Sequence, residues 1–307
     1  MKKIKFILNF LYNIKYIKVL VESIKDFSKN DSINFAATTA FYTIFSLPAF
    51  FILILKVGST FYQKSKIKEE LFLQVENLAG SEAVTTIEST LENISMDDTG
   101  VVSSTIAFGI LAFSATTVFV SLQNAMNHIW HIKAIPKRGF LKYIINRLLS
   151  FSLVLSMGFI LIVSLLLDAI VSVIFTHLEF LLDTYAVKLS SVVQIILSQA
   201  ILVLIFALMY KILPDAKVRW KDTWVGALVT AILFIVGKFG IGFYLGNTDL
   251  GNTYGAAGSL VILLVWVYYS VIIFLLGGQI TFYIAKFYGN IIEPTSNATR
   301  IEIVEID

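Results

Sequence analysis

Very few side chains in this chain are equipped for chemistry. It has three histidines, His128, His131 and His177, no cysteine, and two ionisable residues set deep in otherwise apolar stretches, Asp168 and Lys238. Metal-assisted hydrolysis needs clustered His and acidic ligands, and acid–base catalysis needs an oriented pair beside groups that hold the substrate. His128 and His131 stand three residues apart, but no third His or acidic ligand lies near them in sequence. With Trp130 between them they read as interfacial anchors. The absence of cysteine removes disulfides, thiolate nucleophiles and Cys-based metal sites. No Gly-x-x-x-x-Gly-Lys-Ser/Thr loop occurs, so direct ATP-driven transport has no support. The expectation is a protein that is not an enzyme and needs no cofactor or metal.

Uncharged polar residues are better ordered. Asn34, Thr38, Tyr42 and Ser46 follow one another at every fourth position, and Ser114, Thr117, Ser121, Asn124 and His128 alternate steps of three and four, with Gln123 and Asn127 beside them. Polar groups in lipid need a partner or water, so both stripes are expected to face protein or a water-filled cavity. Asp168 and Lys238, differing in depth by ~8 Å at 1.5 Å per helical residue, are expected to approach one another across the outer half of that cavity. Gln194, Ser198 and Gln199 would line it too. A plainer reading stays open for each: hydroxyls bond their own i−4 carbonyls and let helices approach, and the two charges snorkel to the interface.

The elements that carry these residues are long and apolar. Hydrophobic residues make up 57% and charged residues 15%, and the mean hydropathy is +0.81, more apolar surface than a soluble chain of this length can hide. Six stretches are each long enough to cross a hydrocarbon core of ~30 Å. The sequence therefore predicts an all-α polytopic membrane bundle of six transmembrane helices, over about 32–56, 101–127, 148–176, 189–211, 223–245 and 259–286, plus amphipathic interfacial helices. Residues 1–31 would form a basic, amphipathic segment, 58–100 a helical insertion, and 289–307 a polar, mobile tail.

Charge sets the expected threading. Lys2, Lys3, Lys5, Lys15, Lys18, Lys25 and Lys29 precede the first span against Glu22, Asp26 and Asp31. A second basic segment carries Lys133, Lys137, Arg138, Lys142 and Arg147 with no acid, and a third carries Lys211, Lys217, Arg219 and Lys221. The insertion is acidic, with Glu69, Glu70, Glu76, Glu82, Glu88, Glu92, Asp97 and Asp98. By the positive-inside rule both termini lie in the cytoplasm and the insertion outside, in a bacterial cell membrane. The basic loops would also draw anionic lipid headgroups to an inner mouth, although their role in topology explains them equally well.

Two segments look amphipathic. Phe6, Ile7, Phe10, Leu11, Ile14, Ile17, Val21 and Ile24 recur at helical spacing among lysines, as expected of a helix on an anionic leaflet. The basic start resembles a signal peptide in outline, but no small-residue cleavage site follows. In the insertion, Ile67, Leu71, Val75 and Leu78 form one stripe and Val84, Ile87, Leu91 and Ile94 another, fitting two short helices that either cap the bundle or rest on headgroups.

Several of these pieces are shared with a known family. The runs Phe35-Ala-Ala-Thr-Thr-Ala-Phe-Tyr-Thr-Ile-Phe-Ser-Leu-Pro48 and Ser121-Leu-Gln-Asn-Ala-Met-Asn-His-Ile-Trp130 come first, then Arg138-Gly-Phe140, Leu213-Pro-Asp215, Trp220-Lys-Asp222 and Gly226-Ala-Leu-Val-Thr230. Tyr254-Gly-Ala-Ala-Gly258, Leu264-Val-Trp-Val-Tyr-Tyr-Ser270 and Leu276-Gly-Gly278 follow. Together they resemble the YihY/BrkB family of bacterial inner-membrane proteins, once labelled ribonuclease BN. The resemblance implies six helices with cytoplasmic termini. It implies no settled activity: roles in envelope integrity, serum resistance and export of lipid-like or other solutes have been suggested for the family.

The expected function is that of a permease or exporter moving a lipid-like or small solute through a polar intramembrane groove, with membrane lipids as partners and no nucleic acid. A non-transporting scaffold for envelope integrity is the alternative. A ribonuclease is disfavoured because no catalytic cluster exists.

Overall fold

The structure is a computed structural model that describes residues 15–60, 63–79, 84–85, 87–89, 91, 101–135, 184–246, 258–288 and 292–302. Among these residues helix dominates. The elements in chain order are α1 (Lys15–Lys29), α2 (Ser32–Gly58), α3 (Lys64–Ala79), α4 (Val101–Ile129), β1 (Ile132–Ala134), α5 (Thr184–Ile212), β2 (Ala216–Lys217), α6 (Trp220–Gly246), α7 (Gly258–Phe287), β3 (Glu293–Pro294) and β4 (Ala298–Arg300).

Among the described residues four helices are long and apolar enough to cross a membrane, over Ser32–Lys56, Val192–Ile212, Trp220–Ile241 and Leu260–Phe287. The second expected span lies in α4, an unbroken helix of 29 residues. The third, 148–176, lies outside the described residues, as does Asp168. Many exposed residues of these helices are large and apolar, as at Phe41, Phe45, Ile195, Ile196, Val236, Phe239 and Phe243. Small residues stand among the large ones that face inward on α2, α4, α5, α6 and α7: Ala36, Ala40, Ala125, Ala207, Ala227 and Ala285 are buried. Small inward residues let backbones approach where lipid offers no hydrophobic drive to press helices together.

Two glycines let neighbouring helices approach closely. A Cβ on Gly226 would overlap Thr281 of α7, and one on Gly277 would overlap Thr230 of α6 and Tyr210 of α5. The hydroxyls there close on backbone: Thr230 donates to the Gly226 carbonyl at 2.7 Å, Thr281 to the Gly277 carbonyl at 2.8 Å, and Tyr210 to the Phe274 carbonyl at 2.7 Å. Elsewhere on α6, Gly237 meets Tyr269 of α7, whereas Gly240 faces open space.

The helices share one end, called basal here, where α2 and α6 begin and α4, α5 and α7 finish. Corners there are tight. Asp31 (φ 48°) turns α1 into α2, and His131 (φ 54°) turns α4 into β1, a left-handed conformation that Asp and His tolerate better than most residues. The opposite, distal end is covered by α3. Ile67 and Leu71 of α3, with Ile87, are buried against Phe51, Ile54 and Leu55 of α2, so the apolar stripes of the insertion pack on protein.

The chain after α7 corrects an expectation. A polar, mobile tail was expected from Asn290 onward, but residues 292–302 are paired. Residues Glu293–Pro294 run antiparallel to Ala216–Lys217, and Ala298–Arg300 run antiparallel to Ile132–Ala134. Each basal loop exposes a short backbone edge, and the tail satisfies both with main-chain hydrogen bonds, which do not depend on its side chains being apolar. The bonds from Thr295 N to Asp215 O at 2.9 Å and from Ile301 N to His131 O at 2.8 Å fasten it further.

Candidate functional site

Where α2, α4, α5, α6 and α7 meet beneath α3 they leave a chamber of about 320 Å³, within the ~300–1,000 Å³ range of small-molecule sites. Its walls include Leu47, Phe50, Phe206, Phe234, Trp266 and Phe274, and Val75 and Ile87 form its distal roof. Tyr210, stacked on Phe274 at 5.0 Å, marks its basal limit. Among the lining residues no side chain is charged, and only Thr43 and Ser270 carry a hydroxyl. Both hydroxyls already donate to their own helices, Thr43 to the Thr39 carbonyl at 2.7 Å and Ser270 to the Trp266 carbonyl at 2.8 Å. The surface offers hydrocarbon and aromatic faces and almost nothing to an ion or a sugar.

The polar stripe of α2 faces elsewhere. Asn34, Thr38 and Tyr42 are exposed, and only Ser46 is buried. The reason is local: Thr38 donates to the Asn34 carbonyl at 2.9 Å and Ser46 to the Tyr42 carbonyl at 2.7 Å, so neither hydroxyl demands an inward partner. The inward polar residues of α2 are Thr39 and Thr43, one position on. Thr39 shares a 2.8 Å hydrogen bond with Ser121 of α4 just basal to the chamber. Along α4, Ser114 and Thr117 are half-buried, Thr117 bonds the Phe113 carbonyl at 3.0 Å, and Asn124 is exposed.

Asn127 and His128 hold the basal end together. Asn127 donates to the Asp215 carboxylate at 3.0 Å and accepts from the Asp215 amide at 2.8 Å. His128 lies 4.5 Å from the Phe35 ring, and Trp130 donates to the Gly278 carbonyl at 2.9 Å. Beside them, Asp26 of α1 accepts from Gln279 at 2.6 Å and lies 3.7 Å from His131. Burial alone would raise the Asp26 carboxyl, but pairing with His131 and a hydrogen bond from Tyr283 outweigh it and hold the group below the usual carboxylate range. Asp26, Gln279 and Tyr283 had no motif around them. The visible signals were two acids, Glu22 and Asp26, on the lysine-rich helix and one amide in an apolar span.

Other expected residues stay apart from the chamber. Gln194 is half-buried, and Ser198 and Lys238 are exposed on α5 and α6. Lys133, Lys217, Arg219 and Lys221 are exposed at the basal end. Lys137, Arg138, Lys142 and Arg147 fall outside the described residues, as does the expected partner of Lys238. Among the described residues no group of three or more His, Asp or Glu is placed to hold a metal.

The sequence profile of the family described as Virulence factor BrkB matches residues 23–302. The chain belongs to the BrkB family. A UPF0761 membrane protein of Xanthomonas campestris pv. campestris (strain B100) is 29% identical over 248 residues, covering 80% of this chain and 55% of its own. One from Alteromonas mediterranea is 26% identical over 266 residues, covering 85% of this chain and 86% of its own. A third, from Xanthomonas oryzae pv. oryzae (strain PXO99A), is 29% identical over 257 residues, covering 82% and 57%. The chain thus spans little more than half the length of its Xanthomonas relatives. No solved structure matches. This BrkB protein is an integral membrane protein, and the family is not a recognised enzyme family.

Proposed function

We propose that this BrkB protein is a permease-type protein of the bacterial cytoplasmic membrane that takes a lipid-like solute into the chamber between its helices. The chamber itself carries the reading. An apolar recess of about 320 Å³ left empty denies its lining side chains packing partners, which is unfavourable. Water gains little by entering, because both lining hydroxyls are already satisfied. An apolar occupant removes the cost. In this reading the route runs past Thr43 and Ser270, in place of a polar groove along Asn34, Thr38 and Tyr42, and the basal end faces the cytoplasm. Six spans fit this threading, since Ile135 lies at the basal end while α5, ~43 Å long, starts far from it.

The test is transfer of a fluorescent amphiphile between the leaflets of reconstituted vesicles, followed by quenching of label left in the outer leaflet. Transfer above that of protein-free vesicles, abolished by Ser270→Phe, is the expected result. Transfer no faster than in protein-free vesicles overturns the permease reading and leaves a scaffold.

A further inference from the structure

At ~100° per residue the side chains of α1 divide into three sectors. Val19, Ser23, Asp26 and Phe27 face the bundle: Val19, Ser23 and Phe27 are buried, and Asp26 is clamped by Gln279, Tyr283 and His131. Leu20, Val21 and Ile24 form a second, apolar sector that the bundle does not cover; they are 43%, 43% and 54% exposed. Lys18, Glu22, Lys25 and Lys29 form the third, with Lys25 and Lys29 exposed. An ordinary amphipathic helix against a protein needs two faces, one for the core and one for water. A third, apolar face bordering lysines calls for another partner.

The geometry points to a lipid surface carrying anionic headgroups as that partner, held by the Leu20–Val21–Ile24 sector while the opposite side of α1 stays clamped to α7. Two observations select this occupant. The uncovered sector stands one turn of chain, at Asp31, before a membrane-crossing helix that itself exposes large apolar side chains, Ile33 (50%), Phe41 and Phe45. The charges beside it are complementary to an anionic leaflet, with Lys25 and Lys29 exposed next to Ile24. Because clamp and lipid contact use different sectors, α1 keeps both at once and fixes the basal end of α7 to the leaflet surface.

The cysteine-free chain permits a direct test on the full-length protein in vesicles of phosphatidylcholine with and without phosphatidylglycerol. Single cysteines replace Ile24, Lys25 or Ser23, and an environment-sensitive label is attached. With phosphatidylglycerol present, the Ile24→Cys label is expected to be quenched severalfold more by lipid-borne nitroxide than by aqueous iodide, with the reverse at Lys25→Cys, while Ser23→Cys resists labelling in the folded protein. Omitting phosphatidylglycerol, or adding Lys25→Gln and Lys29→Gln, is expected to weaken nitroxide quenching at Ile24→Cys severalfold. Iodide quenching as strong at Ile24→Cys as at Lys25→Cys overturns the proposal, and so does nitroxide quenching that ignores headgroup charge.

Discussion

Asn127 and Asp215, 88 positions apart, hold each other by two hydrogen bonds of 3.0 and 2.8 Å, one through the carboxylate and one through the Asp215 backbone amide. One amide thereby fixes both the end of α4 and the loop that leads α5 into α6. The C-terminal segment is tied to the same loop through Thr295. Asn127→Ala leaves a backbone N–H and a carboxylate oxygen without these partners in a half-buried place, a loss of about 1–3 kcal/mol. A lowered unfolding temperature in detergent is the expected outcome. Asn127→Asp should fare worse, because it sets a second carboxylate against the first, and an unchanged unfolding temperature for both would show that the bond contributes nothing.

The contact of Gly226 and Gly277 with hydroxyls on neighbouring helices predicts opposite signs for similar changes. Gly277→Ala forces Thr230 and Tyr210 apart from α7 and is expected to cost about 1–3 kcal/mol as overpacking. Gly240→Ala meets nothing within 4 Å and sits inside a helix, so it is expected to stabilise by up to about 1 kcal/mol. Parallel thermal unfolding of the two variants decides it. The same sign for both would mean that helix approach at Gly277 is looser than the geometry shows.

Apolar length made the membrane-crossing helices legible in the sequence, since nothing but lipid or a deep core accommodates such runs. The cap was half legible: the Ile67 and Ile87 stripes showed which faces would be buried, and only the structure shows that they lie on Phe51, Ile54 and Leu55. The stripe on α2 misled about direction. A hydroxyl at every fourth position carries its own acceptor one turn back, so its spacing marks a helix without saying which side faces inward. The inward Thr39 stood beside Thr38 with no pattern of its own. The chamber was not legible, because its walls are ordinary span residues whose gaps depend on how five helices cross. The ordered tail was missed because main-chain pairing of two- and three-residue strands leaves no side-chain pattern.

Asp26 gives the clamp on α1 a pH dependence with a definite sign. Its folded-state value lies below the ordinary carboxylate value, so the ionised group stabilises the docked helix. That contribution is fully present above the unfolded value of about 4 and is lost as pH falls through the lower folded value. Hydrogen exchange of α1 amides, followed downward from neutral pH, is expected to speed up below about pH 4 in the parent chain. In Asp26→Asn it should be faster at neutral pH and lack that step. A step that persists in the variant would assign it to another carboxylate.

Ser270→Phe reports on the chamber through the sign of its effect on stability. In a filled core the added ring would cost about 1–3 kcal/mol through strain. Beside about 320 Å³ of apolar space it gains contacts instead, and the lost hydroxyl bonded only its own helix. The expected outcome is an unfolding temperature equal to or above that of the parent, together with loss of labelling at the chamber-lining Val267 and Val271 of α7 by a photoactivatable fatty acid. Labelling of outward residues such as Phe239 and Phe243 should persist, because they meet bulk lipid whether or not the chamber is filled. A clear drop in unfolding temperature, or labelling of Val267 and Val271 that survives the substitution, would place the hydrocarbon elsewhere.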